Sequence, residues 1–319
     1  MRRRTLLLAV AAIVLACPPA LHADVADSVA AGISQWSYTH YLDDVLYTHD
    51  GDDRGFGPEH DLARDAILGE FTSFGLQASL DPFSYSGSTY HNVVATIPGR
   101  VRPEDVYVVS AHYDSVNNPG ADDDASGVAG VLEIARVAAE YWWDATIVFI
   151  AFDREEQGLI GSQAWVDEHL SDNIVGMVTM DMIAWNPERQ RHDWVRVYGG
   201  SDYWIHRAEV SQAIEAYSSL VALPCLDLRA SDHVSFEDAG FPGVMVIEET
   251  HDTNPHYHQP EDSVDSPDYI DYRFATEVTR GVAGWAALYG GATETAEPGT
   301  LLLVAAGAAC LAWRRRRAA

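Results

Sequence analysis

The sequence predicts an α/β fold: a mostly parallel, mixed central sheet with helices on both faces, in a single domain. Three observations carry this. Apolar runs alternate with stretches of helical periodicity along the chain, the arrangement of strand–helix–strand units that cover a parallel sheet on both sides. A hydrophobic content of 47% over 319 residues is ample for one buried core. Histidines and carboxylates stand where the apolar runs end, and in an open α/β sheet ligands bind at those ends.

In chain order, Asp24 to Thr48 has helical apolar spacing with a break at Ser37 to Thr39, and Asp50 to Gly57 is a turn-rich loop. Glu59 to Phe74 reads as an amphipathic helix with Leu62, Ala66, Ile67 and Phe71 on one face. Gln77 to Tyr85 and Tyr90 to Ile97 read as strands joined by the turn Ser86-Gly87-Ser88. The stretch Val108 to Glu156 is then strand, Gly/Asp-rich loop, helix and strand. A short helix over Gly161 to Leu170 follows, then a strand over Ile174 to Met182 that carries Asp181. Trp194 to Tyr198 is a strand and Tyr203 to Tyr217 a helix. Ser231 to Asp238 opens a short helix with Ser231 as its cap. Gly243 to Ile247 is a buried strand, Glu248 to Pro267 a polar loop, and Tyr269 to Tyr289 the last helix. There is no internal repeat.

Every basic residue is Arg, and seven of the 20 stand at the extreme ends of the chain. The acidic residues lie between those ends, so the body is more acidic than the overall −28. Such a surface repels nucleic acid. Residues 1–23 (MRRRTLLLAVAAIVLACPPALHA) have the basic, apolar and small-residue segments of a secretory signal peptide, with cleavage expected after Ala23. Residues 24–290 form the body, and 291–319 a linker and tail. The tail has a Glu-Pro turn, about 14 apolar residues and four Arg, a run short of the ~20 needed to span a bilayer. It resembles the PEP-CTERM sorting tail of Gram-negative bacteria, which implies export and contact with sorting machinery or the membrane. Cys225 is the one cysteine of the body, read as a small buried residue, and no intrachain disulfide can form there.

Five places carry candidate ligands: His112 with Asp114, the Asp122-Asp123-Asp124 loop, Glu155-Glu156, Asp181, and His256 with His258. Clustered buried acids repel unless cations sit among them. His and carboxylate without thiolate suit zinc in a catalytic site. Two ions need a bridging carboxylate and two terminal ligands each, so five ligands suffice, and a separate carboxylate must take a proton.

HYDS, PGADDDASGVA, FIAFDREEQGLIGS, VTMDMI and NPHYHQPED resemble the exported bacterial di-zinc aminopeptidases, leucyl-aminopeptidase-like zinc exopeptidases, and their wider peptidase family. The resemblance implies a single-domain zinc-exopeptidase fold and two Zn²⁺ per chain. It implies His112, Asp123, Glu156, Asp181 and His258 as metal ligands, with Asp123 bridging. One ion would see His112, Asp123 and Asp181; the other Asp123, Glu156 and His258. Glu155 would be the general base, Asp114 the carboxylate that orients His112 through its other ring nitrogen, and Tyr257 a stabiliser of the tetrahedral intermediate. A cis peptide after Asp123 is implied as well. Some members use a Tyr or Arg just before Ser-Asp-His, where this chain has Arg229; His233 is read as structural. The implied reaction is removal of N-terminal residues from peptides with a free N-terminus. Carboxypeptidases, single-zinc glutaminyl cyclases and non-catalytic receptor modules share the scaffold and are the alternatives.

Overall fold

The structure, a computed structural model, describes residues 19–47, 53–116, 118–187, 193–226 and 228–295. The expected signal peptide, through residue 18, and the expected tail from 296 lie outside the described residues. Strands β1 (Gln77–Tyr85) and β2 (Ser88–Ile97) form a hairpin. Ser86 and Gly87 join them at φ 50° and 83°, the left-handed pair of a two-residue turn whose twist suits a hairpin. β3 (Arg102–His112), β4 (Tyr141–Trp143), β5 (Ala145–Phe152), β6 (Asn173–Met180), β7 (Trp194–Gly199), β8 (Val221–Leu226), β9 (Gly243–Glu248) and β10 (Ala292–Glu294) follow.

Eight strands make one sheet in the order β1-β2-β5-β3-β6-β9-β7-β8. Its centre, β5-β3-β6-β9, is parallel. β2 and β7 flank it antiparallel, and β8 runs parallel to β7 at the edge. This is the mostly parallel mixed sheet that the alternating pattern predicts.

The helices are α1 (Pro19–Gly32), α2 (Gln35–His40), α3 (Pro58–Ser73), α4 (Gly127–Ala138), α5 (Ile160–Glu168), α6 (Trp204–Tyr217), α7 (His233–Asp238) and α8 (Tyr272–Gly290). α1, α4 and α6 pack against α8 on one face of the sheet, while α5 and α7 pack together on the other. The two-residue period of β5 divides it between them. Ile147, Phe149 and Ala151 enter the core under α4 and α8. Val148, Ile150 and Phe152 join Trp165 and Val166 of α5 and Phe236 of α7. A strand buried on both faces has no polar alternation to show. Gly127 lets α4 start against the sheet, since a Cβ there would lie 2.3 Å from the Met180 carbonyl oxygen.

Several local expectations are corrected. The first break falls at Ile33-Ser34, not at 37–39: α1 ends at Gly32, and the Ser34 N–H donates to buried Glu133 at 2.7 Å. The buried stripe of α3 is His60, Ala63, Ile67 and Phe71, while Leu62 is 51% exposed. His60 replaces it because Asp153 satisfies its ring at 2.8 Å. Strand β8 contains Pro224, which argues against a central strand; an edge strand tolerates it because one row of N–H groups faces away from the sheet. Cys225 on that edge is half-buried. Asp232, not Ser231, precedes α7 at its cap, without a side-chain capping bond. β10 pairs with β4, so regular structure continues past the expected boundary at 290 to Glu294.

His233 is 1% exposed at the start of α7, and burial pushes its imidazole down to about 4. The unfolded chain takes up this proton near pH 6.5 and the folded chain only near 4. The associated stability is therefore present above pH 6.5 and lost as pH falls toward 4, up to about 3 kcal/mol. In denaturant titrations at pH 7 and pH 4, His233→Gln should lose less stability on acidification than the wild type. An equal loss would contradict this account.

Candidate active site

The four parallel strands at the sheet centre end side by side, and each delivers donors from its C-terminal end. β3 ends in His112; β5 leads into Glu155 and Glu156; β6 is followed by Asp181; the loop after β9 carries His258. The segment Ala121–Ser126 lies between β3 and α4, with a cis peptide at Asp123–Asp124.

The donor atoms converge. His112 Nε2 lies 3.1 Å from Asp123 Oδ1 and 4.0 Å from Glu155 Oε2. His258 Nε2 lies 3.2 Å from both Asp123 Oδ2 and Glu156 Oε2. Two sets of three donors have ligand atoms within 4.8 Å of one another: His112, Asp123 and Glu156, and His112, Glu155 and Asp181. The second set includes Glu155, which the sequence resemblance casts as the base.

His112 Nδ1 sits 3.0 Å from the Asp114 carbonyl oxygen and 3.6 Å from its carboxylate. A carbonyl only accepts, so Nδ1 carries a proton, which leaves Nε2, on the Asp123 side, as the nitrogen that can offer its lone pair to a metal ion. The Asp114 carbonyl thus joins its carboxylate in facing this ring nitrogen. The carboxylate also accepts the Glu155 and Glu156 N–H groups at 3.1 and 3.3 Å. It ties the end of β3 to the glutamate pair.

The other two aspartates of the triplet build the loop. Asp124 accepts from the N–H groups of His112, Gly127 and Met182 at 3.1, 2.9 and 3.3 Å. Asp122 accepts from Ala184 N–H at 2.7 Å and from Asn254 Nδ2 at 2.9 Å. Sequence reasoning missed Asp262, whose carboxylate takes the Asp122 and Asp123 N–H groups at 2.7 and 3.2 Å. It also missed Asn254, which bridges Asp122 and Glu248. Both lie within the motif NPHYHQPED, at its two ends, but neither stands at a strand end to mark its role.

The electrostatics fit a divalent cation. Burial raises Glu156 to about 7 and Asp181 to about 6, and lifts Glu155 well above the usual carboxylate range. Contacts with Asp123 and Glu156 raise His258 to about 10. Burial alone would depress His112, but Glu155, Asp114 and Asp123 together push it up. Burial would likewise raise Asp123, yet the two imidazoles hold it below the usual range. These shifts are those of acids crowded in a dry site, which a cation relieves. The buried atoms Glu156 Oε1 and His258 Nε2 have no hydrogen-bond partner. His258 Nε2 thus lies 3.2 Å from two carboxylates at once, a position from which its lone pair can serve a metal ion held between them. Oxygen and imidazole donors without sulfur suit zinc.

The site opens into a cleft of about 270 Å³. One wall is apolar, with Met182, Leu228, Met245 and Ile247; Tyr257 and Asp252 also line it. Tyr257 stacks on the His258 ring with centroids 3.8 Å apart. Arg229 pairs with Asp238 at 2.5 Å and Glu237 at 3.4 Å, and is not among the lining residues. Arg154, Met182 and His258 have left-handed φ of 61°, 54° and 58°, a conformation held only where surrounding contacts enforce it.

Aminopeptidase YwaD of Bacillus subtilis is 33% identical over 206 residues, 62% of this chain and 45% of the relative. The chain spans about half the length of the curated relatives it matches. Among solved structures, the aminopeptidase from Aneurinibacillus sp. strain AM-1 shares the fold, with a TM-score of 0.70 at 19% identity over 85% of this chain and 97% of that one. A Bacteroides thetaiotaomicron glutaminyl cyclase shares it with a TM-score of 0.66 at 19% identity over 79% and 97%. Residues 297–317 match the PEP-CTERM protein-sorting motif, a mark of export in Gram-negative bacteria. Residues 92–285, which span every donor of the site, match Peptidase family M28, and the chain belongs to that family.

Proposed function

We propose that the protein is an exported metallo-aminopeptidase that removes N-terminal residues from peptides, with two zinc ions per chain and Glu155 as general base. The carrying observation is the convergence of Asp123 on both imidazoles, at 3.1 and 3.2 Å, with Glu155 4.0 Å from His112. His112, Asp123, Glu156, Asp181 and His258 would hold the metal. When bound, zinc supplies polarisation of the scissile carbonyl and acidification of water.

The side chains divide the rest. Glu155 accepts the proton of the attacking water and returns it to the leaving amine. Burial lifts its affinity for that proton. Tyr257, at the cleft wall, donates its hydroxyl to the substrate oxygen as charge develops there. Met182, Leu228, Met245 and Ile247 shield the first substrate side chain from water. The acidic rim, including Asp252, suits a protonated α-amine. Among the described residues that line the cleft none is an arginine, which disfavours a carboxypeptidase. Residues 1–23 would direct export and 296–319 would engage the sorting machinery, leaving the body between them outside the cytoplasm.

Rates on matched peptides with free and N-acetylated termini test this reading. Free-amine peptides should be cleaved from the N-terminus and acetylated ones left intact. Equal cleavage of both would refute an aminopeptidase, and cyclisation of N-terminal glutamine without hydrolysis would make the chain a cyclase.

A further inference from the structure

One buried cation is left without a role in that reading. Arg54 is 1% exposed, and among the described residues its guanidinium donates to backbone carbonyls. Nε donates to Tyr113 O at 3.0 Å, Nη2 to Gly120 O at 2.7 Å, and Nη1 to Pro119 O. Its backbone N–H donates to Ser115 Oγ at 3.0 Å. Tyr47 donates to Pro119 O at 2.6 Å and lies under the guanidinium, 5.4 Å from its ring centroid.

These carbonyls belong to the two ends of one loop. Tyr113 follows His112, and Gly120 stands three residues before Asp123. The loop is shaped around the cation. Gly120 is left-handed at φ 60° and ψ 48°. A Cβ there would come 3.0 Å from Arg54 Nη2 and 2.4 Å from the Asp123 carbonyl oxygen. A rigid fork of N–H donors can hold several carbonyls in one geometry, which a flexible ammonium cannot. A buried charge must have its donors satisfied, and here those donors span the ligand-bearing loop. Phe56, two residues on, lies over the guanidinium of Arg154 with 4.2 Å to the ring centroid. Arg154 immediately precedes Glu155-Glu156. The short segment from Asp53 to Gly57 therefore touches both loops of the site, although it lies outside the residues that match the family.

We propose that Arg54 is a positioning residue of the metal centre, holding the Asp123 loop in register with His112 so that zinc meets preformed donors. The inference rests on the metal-centre reading above.

The test uses the full chain stripped with a chelator. Zinc affinity is read by competition with a chromophoric chelator, and thermal unfolding is followed with and without zinc. Arg54→Met should weaken zinc binding ~10- to 100-fold, the range for groups that orient metal ligands. Arg54→Lys, which keeps the charge but not the fork, should fall between. A drop in the midpoint of the zinc-free protein with wild-type zinc affinity in the folded chain would make Arg54 merely structural and overturn the proposal. If Arg54→Met does not fold, Arg54→Lys and Gly120→Ala decide by the same readout. Failure of the wild type itself to bind zinc would sink the metal-centre reading, and this inference with it.

Discussion

Glu155→Gln should lower kcat ~10²- to 10⁴-fold, the usual contribution of a positioned general base, while leaving the zinc content unchanged. The amide matches the carboxylate in shape but cannot take a proton. The backbone of Glu155 stays fixed because its N–H is held by Asp114 at 3.1 Å. Steady-state kinetics on an aminoacyl anilide, with metal content by atomic emission on the same sample, check both halves. The second half matters because Glu155 also falls in a donor set with His112 and Asp181. Loss of zinc from Glu155→Gln would move Glu155 from base to ligand. Full activity would remove it from the mechanism.

Asp123→Asn should have the other large effect. Asp123 is the carboxylate that meets both imidazoles, Oδ1 toward His112 and Oδ2 toward His258. Replacing it should reduce zinc below two per chain and lower activity more than 10²-fold, the lower bound for losing a group central to transition-state stabilisation. The zinc-free protein should be less stable than wild type, because the two imidazoles that hold Asp123 ionised lose their partner. The stabilisation that zinc gives by binding the folded state should shrink. Thermal unfolding with and without zinc separates the two terms; equal zinc stabilisation in variant and wild type would exclude Asp123 from the centre.

The central strands were legible in the sequence because burial on both faces leaves unbroken apolar runs such as ATIVFIAF. The helices α4 and α8 were legible from their apolar spacing. What periodicity misses is decided by tertiary contact. His60 is polar, yet it lies in the buried stripe of α3 because Asp153 meets it. β8 contains a proline that only its edge position permits, and β10 exists because β4 offers it a partner. The same division holds at the site. His112, Glu155, Glu156 and Asp181 stand at or just after strand ends and announce themselves. Arg54 and Asp262 act on backbone groups far away in sequence, and Asn254 on the Asp122 carboxylate, so no spacing reveals what they do.

The account stands on a centre that takes two zinc ions. The most direct test is to strip the full chain with a chelator, dialyse it against buffered zinc and count bound zinc per chain while following hydrolysis of a free-amine peptide. Two zinc ions per chain, with activity lost on stripping and restored on reloading, is the expected result. A plateau at one zinc with full activity, or hydrolysis that survives stripping, would contradict it.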